Sequence, residues 1–164
     1  LQSGRVDLGF IGGAEIDRFG NLNTHWVEDQ GKRTRLPGSG GAADIAVMAR
    51  RTIIIMNHQR RRFVDKVQYI TSPGFGSGGD WRARHGLSGG GPSHAITSMG
   101  ILSFAAETHE MILDSYHPGV SVEQIRDETS WPVQLSSELR ETAAPSRDEL
   151  AAVRKYDPKG VWTS

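Results

Sequence analysis

The sequence predicts an α/β fold built around a parallel β-sheet. Three consecutive segments favour this fold: a glycine-rich loop at residues 37–41, a helical pattern at 42–49, and an apolar, β-branched run at 52–56. The run at 52–56 lacks polar alternation, which is typical of a strand covered on both faces in a parallel sheet. A loop, a helix and a buried strand in that order indicate a βαβ-like layer.

Short strands and turns are predicted on the N-terminal side of the glycine-rich loop. Apolar residues alternate with polar or small ones over residues 5–11, which predicts a first strand that ends at Gly12. Turn-forming residues at 17–21 separate this strand from a second short one at 22–27. The charged segment 28–35 is predicted to be a loop.

The segment after the βαβ-like layer is predicted to alternate strands with a long loop. A short strand at 67–71 precedes residues 74–92, which contain many glycines and no long apolar run. A loop of that length is predicted to be either functional or mobile. The apolar segments 94–104 and 111–116 are predicted to pair as a hairpin.

Capping boxes mark the starts of two helices near the C-terminus. Ser121 with Gln124, and Ser146 with Glu149, have the spacing in which each side chain bonds the other residue's backbone N–H. They predict a helix over residues 122–128 and a second helix that follows Ser146.

The composition excludes several classes of protein. The chain has 19 Lys and Arg and 19 Asp and Glu, so its net charge is +0. This balance argues against a surface that is positively charged as a whole and binds nucleic acid or anionic lipid for that reason. No apolar run approaches the roughly 20 residues that span a bilayer. The chain has no cysteine, so disulfides, thiolate catalysis and cysteine-bound metals are excluded, and its six histidines lack zinc-site spacing. We expect a soluble, cytoplasmic, metal-free protein whose residues 1–164 form one domain and which binds neither nucleic acid nor membrane.

The glycine-rich loop is the strongest candidate site. Gly38, Ser39, Gly40 and Gly41 lie directly before a helix, where closely approaching backbone N–H groups can hold an anion or a developing oxyanion. The alternative is a tight loop-to-helix junction without a ligand.

A dinucleotide site is a second interpretation of the same loop. With Ala43 the loop matches G-x-G-x-x-A, and the arginines at 60–62 could contact a 2′-phosphate. The context argues against it, because residues 32–37 are charged and end in Pro37 where that motif needs a hydrophobic strand.

Other clusters have both a functional and a structural interpretation. The carboxylates of Asp7, Glu15 and Asp17 could serve acid–base chemistry but more often cap turns. A basic cluster could bind phosphate or an acidic partner but is usually solvated; it comprises Arg50, Arg51, Arg60, Arg61, Arg62 and Lys66. The tryptophans are too dispersed to form a stacking platform; they are Trp26, Trp81, Trp131 and Trp162.

Taken together, the motifs resemble the β subunit of family I coenzyme A transferases, of the glutaconate CoA-transferase type. The resemblance covers nearly the whole chain and rests on residues 6–24, 35–46, 62–67, 70–74 and 117–120. It implies an open, mostly parallel α/β sheet with flanking helices, of the ribose-isomerase and CoA-transferase type. It further implies a hetero-oligomer with an α subunit, whose substrates are an acyl-CoA and a short-chain or dicarboxylic acid.

The resemblance also implies a ping-pong mechanism and a role for the loop. A glutamate carboxylate attacks the thioester and passes through an acyl-glutamyl anhydride to a glutamyl-CoA thioester, which a second acid then collects. Gly40 and Gly41 are expected to donate their N–H groups to the oxyanion. The coenzyme A thioester is expected to contact the loop residues, which are Gly38, Ser39, Gly40, Gly41 and Ala42.

One part of the family pattern is not found in these 164 residues. The nucleophilic glutamate belongs to a Ser-Glu-Asn-Gly type motif that precedes the first strand, and Glu15 stands where relatives carry glutamine or another polar residue. Three interpretations follow. The chain is a C-terminal portion of a β subunit truncated at its N-terminus, or the upstream part with the glutamate is a separate chain, or the protein has no transferase chemistry. Three functions are therefore considered: first a transferase subunit that supplies the oxyanion loop, then a CoA-thioester hydrolase or decarboxylase, and finally a non-catalytic scaffolding subunit.

Overall fold

The computed structural model describes residues 1–87 and 89–161 of the chain. The end of the predicted domain at 162–164, including Trp162, lies outside the described residues. The strands are β1 (Leu8–Ile11), β2 (Glu15–Ile16), β3 (Leu22–Asn23), β4 (Trp26–Asp29), β5 (Lys32–Arg35), β6 (Arg51–Met56), β7 (Pro92–Thr97), β8 (Gly100–Phe104), β9 (Met111–Tyr116) and β10 (Gln134–Glu141). The helices are α1 (Ala42–Met48), α2 (Trp81–Arg84), α3 (Val122–Asp127) and α4 (Arg147–Tyr156).

Six strands form one open sheet in the order β1-β6-β7-β8-β9-β10. The pairs β1/β6, β6/β7 and β9/β10 are parallel, whereas β8 runs antiparallel to both of its neighbours. The predicted open, mostly parallel α/β sheet is therefore confirmed. Two small antiparallel pairs, β2/β3 and β4/β5, lie outside this sheet.

One face of the sheet carries the hydrophobic core. Ile54, Leu102 and Leu113 are fully buried there, together with Ile125 of α3. Helix α1 packs against the same face at Gly9, where an added Cβ would lie 2.3 Å from the Cγ2 atom of Ile45. Glycine at this position therefore sets how closely α1 approaches the sheet.

The opposite face of the sheet is bare in the described part of the chain. Phe10 is 58% exposed and Ile55 is 53% exposed, and both are flanked by half-buried isoleucines on paired strands. The expectation that residues 52–56 are covered on both faces is therefore wrong here, because α1 and α3 both pack on the core face. The strand β6 alternates between buried and more exposed positions.

The charged segment 28–35 is not the predicted loop. It forms most of a hairpin in which β4 and β5 pair antiparallel from Trp26 with Arg35 to Asp29 with Lys32. Its two-residue turn, Gln30-Gly31, has φ values of 49° and 77°, as type I′ hairpin turns require. The predicted strand at 22–27 is accordingly divided between β3 and β4.

Three further elements differ from the sequence prediction. Residues 67–71 form no strand, because the Gln68 amide donates to the Glu15 carboxylate and the Thr71 amide to the Leu22 carbonyl. The predicted strand 94–104 is two strands, β7 and β8, joined by a turn that the Thr97 hydroxyl stabilises. Strand β10 is an additional edge strand that the sequence analysis did not identify.

The long segment 74–92 is a structured loop that contains the short helix α2, although its Ser88 lies outside the described residues. The Asn21 side-chain oxygen accepts the amides of Gly74 and Gly76, each at 3.0 Å. From within α2, the buried guanidinium of Arg82 donates to backbone carbonyls of three other segments; they belong to Ala46, Gly74 and Gly89. These two side chains hold the glycine-rich segment in place.

Both capping boxes are confirmed. The Ser121 hydroxyl accepts the Gln124 amide and the Ser146 hydroxyl accepts the Glu149 amide, each with the reciprocal side-chain bond. Helix α3 buries Ile125, whereas α4 buries no residue.

Acid should destabilise the fold through His58. This ring is buried, stacks on Phe63 and contacts the hydroxyls of Thr97 and Thr129, and burial lowers its pKa to about 4. Between pH 6.5 and 4 the unfolded chain binds a proton that the native chain excludes, so stability is lost as the pH falls. Urea titrations should register a loss of about 3 kcal/mol from this group.

The substitution His58→Gln should flatten this profile by the same amount. The control variant is His85→Gln, at a histidine that is exposed. Parallel profiles for His58→Gln and the wild type would show that His58 does not cause the acid sensitivity.

Candidate functional site

The glycine-rich loop continues directly from the β4–β5 hairpin. Beyond the last strand pair, the Leu36 amide donates to the His25 carbonyl at 2.9 Å and the Gly38 amide donates to the Thr24 carbonyl at 2.8 Å. These two bonds fix the start of the loop against the segment that leads into β4. Helix α1 then begins at Ala42, with Gly41 as its N-cap.

The backbone of the loop makes a tight turn directly before α1. Gly40 has a φ of +50°, and Gly41 follows with φ −88° and ψ 0°. A positive φ at a glycine, followed by these values at the next residue, is the pattern of a type II′ turn over residues 39–42. The Ala42 amide closes the loop by donating to the Ser39 carbonyl at 2.9 Å.

The amides of Gly40 and Gly41 are free within the described part of the chain, where neither donates a hydrogen bond. Both residues are exposed, and an added Cβ at either would meet no atom within 4 Å. The five residues predicted to contact a ligand thus lie together, but the amides of Gly38 and Ala42 are engaged in shaping the loop. The arrangement offers two adjacent donors to a negatively charged oxygen.

Two side chains beside the loop were not identified from the sequence. The Thr24 hydroxyl and the Nδ1 atom of His25 are buried and have no partner among the described residues. The His25 ring packs on Tyr69, with centroids 4.9 Å apart, and its Cε1 lies 3.9 Å from the Cβ position of Gly38. Their proximity to the loop arises from hairpin pairing, which the sequence analysis did not predict.

The three carboxylates near the first strand do not form an acid–base group. Asp7 makes a surface ion pair with Arg50 at 3.2 Å, whereas Glu15 and Asp17 are buried. Asp17 accepts the amides of Phe19 and Asn21, as a turn cap does. Burial raises the pKa of Asp17 despite these bonds.

The basic cluster is partly structural. Arg60 donates to the carbonyls of Asp127 and Thr129, and Arg62 donates to the Gly13 carbonyl. The loop at 38–41 also follows a strand of the separate hairpin rather than one of the main sheet. Both observations disfavour the dinucleotide interpretation, which needs a sheet strand before the loop and free arginines for the phosphate.

Within the described ranges, no cluster of three or more His, Asp or Glu side chains could hold a metal ion. The same residues contain no helix long and apolar enough to cross a membrane.

Comparisons with known proteins identify the family of the chain. The sequence profile described as coenzyme A transferase matches residues 1–128. The B subunit of the 3-oxoadipate CoA-transferase of Pseudomonas knackmussii is 46% identical over 160 residues, which are 97% of this chain and 62% of that protein. The B subunit of the glutaconate CoA-transferase of Acidaminococcus fermentans is 40% identical over 154 residues, which are 92% of this chain and 57% of that protein.

Among solved structures, glutaconate coenzyme A-transferase from Acidaminococcus fermentans matches with a TM-score of 0.86 at 39% identity. The match covers 96% of this chain and 61% of that one. The chain thus spans about three fifths of the length of the curated relatives it matches.

Proposed function

Because the chain belongs to the coenzyme A transferase family, we propose that it is a subunit of an enzyme that moves CoA from an acyl-CoA thioester to a carboxylic acid. Within that enzyme, residues 38–42 bind the thioester. Gly40 and Gly41 donate their amides to the oxygen that becomes negatively charged when the thioester carbonyl is attacked.

The paired free amides are the observation that supports this role most directly. The two amides belong to adjacent, exposed glycines directly before α1, and neither donates a hydrogen bond within the described part of the chain. Donors fixed in advance at a developing oxyanion need no reorganisation during the reaction, and this makes them effective in catalysis. The coenzyme A transferase profile spans these residues.

The proposed reaction has two half-reactions. A glutamate carboxylate attacks the thioester carbon, the carbon–sulfur bond breaks, and CoA leaves as a thiolate. The thiolate then attacks the glutamyl carbonyl of the anhydride and releases the acyl group as a free carboxylate. A second carboxylic acid reverses these steps and leaves with the CoA.

We propose that this chain acts beside an α subunit in a hetero-oligomer and that its 164 residues form one domain. The relatives are named as B subunits, which supports a two-subunit enzyme. The nucleophilic glutamate is assigned to a position outside these 164 residues. We also propose that the enzyme acts in the cytoplasm.

The acyl group that we propose is a dicarboxylic one. The relatives at 46% and 40% identity are named for 3-oxoadipate and glutaconate, and both of these are dicarboxylates. The names of these two relatives also favour transfer over hydrolysis or decarboxylation.

Chemical trapping tests the proposed function. The complex of this chain with its co-expressed partner is incubated with a dicarboxylic acyl-CoA and then treated with borohydride, which reduces a glutamyl thioester to an alcohol. We expect inactivation that requires the acyl-CoA and a mass change on one glutamate. A sample that lacks acyl-CoA serves as the control, and hydroxylamine provides a second trap because it converts the same thioester to a hydroxamate.

If the complex turns over the acyl-CoA with water as the acceptor and no adduct is trapped, the enzyme is a hydrolase rather than a transferase. Absence of both turnover and CoA binding would favour a scaffolding subunit.

A further inference from the structure

The β4–β5 hairpin presents two arginines and one tryptophan on the same face. Side chains alternate along a strand, and the pairing of Trp26 with Arg35 and of Glu28 with Arg33 places these four residues on one face. Lys32 and Asp29 pair on the other face. All four residues of β5 are exposed.

This face is preorganised for negative charge. The Arg33 guanidinium lies over the Trp26 ring, 4.1 Å from the ring centroid, and this contact limits the motion of a long side chain. Arg33 also lies 3.7 Å from Glu28, and both side chains are largely exposed, so this ion pair is weak and a phosphate can compete with the carboxylate for the guanidinium. Arg35 has no ion pair within the described residues.

The position of this face relative to the glycine-rich loop suggests its ligand. Arg35 and Arg33 stand five and seven residues before Gly40, on the strand that leads into the loop. At about 3.3 Å per residue, the chain places Arg33 no more than about 23 Å from Gly40. A molecule with a thioester at one end and phosphates at the other could contact both places.

We propose that Arg33 and Arg35 bind the phosphates of the coenzyme A nucleotide while the thioester lies on Gly40 and Gly41. The inference rests on the proposed function. Arg33 and Arg35 are alternate residues on one strand, so their backbone positions lie about 6.6 Å apart along it. Each guanidinium presents two parallel N–H donors, to which phosphate oxygens bind. Trp26 holds Arg33 in place and contacts no phosphate itself.

Binding of CoA analogues to the complete complex tests this inference. Calorimetry compares CoA, dephospho-CoA and pantetheine with the wild type, Arg33→Gln, Arg35→Gln and the double variant. Each substitution should weaken CoA binding about tenfold, the typical effect of one charged hydrogen bond. Binding of pantetheine, which has no phosphate, should stay unchanged.

Lys32→Gln is the matched control, because it removes one positive charge from the opposite face of the same strand. Its CoA affinity should remain within about twofold of the wild type, as expected for a surface charge without a direct contact. All substituted side chains are exposed, so circular dichroism should detect no change in fold.

Two outcomes support the inference and identify the phosphate. Equal losses for CoA and dephospho-CoA assign the arginines to the diphosphate, whereas a loss for CoA alone assigns them to the 3′-phosphate. The inference would be overturned if the double variant bound CoA as tightly as the wild type. It would also be overturned if Lys32→Gln lost as much CoA affinity as the arginine variants. If CoA transfer persists in that case, only this inference fails; if the wild-type complex neither binds nor transfers CoA, the proposed function fails as well.

Discussion

Replacing Gly41 with proline should lower the kcat of the complete enzyme by about 10²–10³-fold, the usual cost of removing one oxyanion donor. Proline has no backbone N–H, and its φ of about −65° is close to the −88° of Gly41. The carbonyl of Gly41 still accepts the Ile45 amide, so the first turn of α1 is kept. The variant thus removes the proposed donor with little other change.

Gly41→Ala is the control for this variant. It keeps the N–H, its φ is allowed for alanine, and the new Cβ meets no atom within 4 Å. We expect the kcat of the alanine variant to fall less than that of the proline variant, because alanine keeps the N–H and any loss then reports only the added Cβ beside the thioester. In both variants the KM for acyl-CoA should change less than kcat, because the donor acts mainly on the transition state.

The measurements are the steady-state kinetics and the thermal unfolding temperatures of the wild type, the proline variant and the alanine variant. Equal activity of the proline and alanine variants, with both folded, would show that the Gly41 amide does not take part in the reaction.

Replacing Arg82 with methionine should destabilise the fold by about 3 kcal/mol, because hydrogen bonds from a charged donor are lost and buried carbonyls are left unpaired. The Arg82 side chain is buried, and its guanidinium donates to carbonyls of α1 and of both ends of the segment 74–92. Methionine fills a similar volume but leaves these carbonyls without a donor, and each unsatisfied group adds to the cost. Urea unfolding monitored by circular dichroism provides the measurement.

Arg84→Met, on the same short helix, is the control. Arg84 and its partner Asp80 are both largely exposed, so the substitution should change stability by less than about 1 kcal/mol. Where Arg82→Met does not fold, Arg82→Lys still tests the argument, because an ammonium cannot reach carbonyls on three segments. An Arg82→Lys protein as stable as the wild type would refute the proposed anchoring role.

Sequence patterns predicted the elements whose signals are local. The capping boxes at Ser121 and Ser146 each lie within four residues, and both helices begin as expected. The glycine-rich loop was recognised because clustered glycines immediately before a helical pattern are typical of a loop that enters a helix. The family resemblance supplied the open, mostly parallel sheet.

The β4–β5 hairpin could not be found from hydrophobic alternation, because β5 contains only charged and polar residues. The Gln30-Gly31 turn is the one local signal, and Gln-Gly is not among the dipeptides most typical of a type I′ turn. Strand β10 is a largely exposed edge strand that exists by pairing with β9, so its formation depends on tertiary contacts.

The candidate site was only half predictable for the same reason. The Gly38 amide is engaged because the Thr24 carbonyl reaches the loop across the hairpin, and this contact is not visible in the sequence. Similarly, no pattern in the sequence places the buried nitrogen of His25 beside Gly38.

The bare face of the central sheet affects how folding of the chain can be assayed. Phe10 and Ile55, with their aliphatic neighbours, form an apolar surface on the native structure. Dyes such as anilinonaphthalene sulfonate fluoresce on such surfaces, and their fluorescence is commonly taken as evidence of a molten globule. For a separately purified copy, a bright dye signal would therefore accompany the correctly folded state, and near-ultraviolet circular dichroism is the better criterion of native packing.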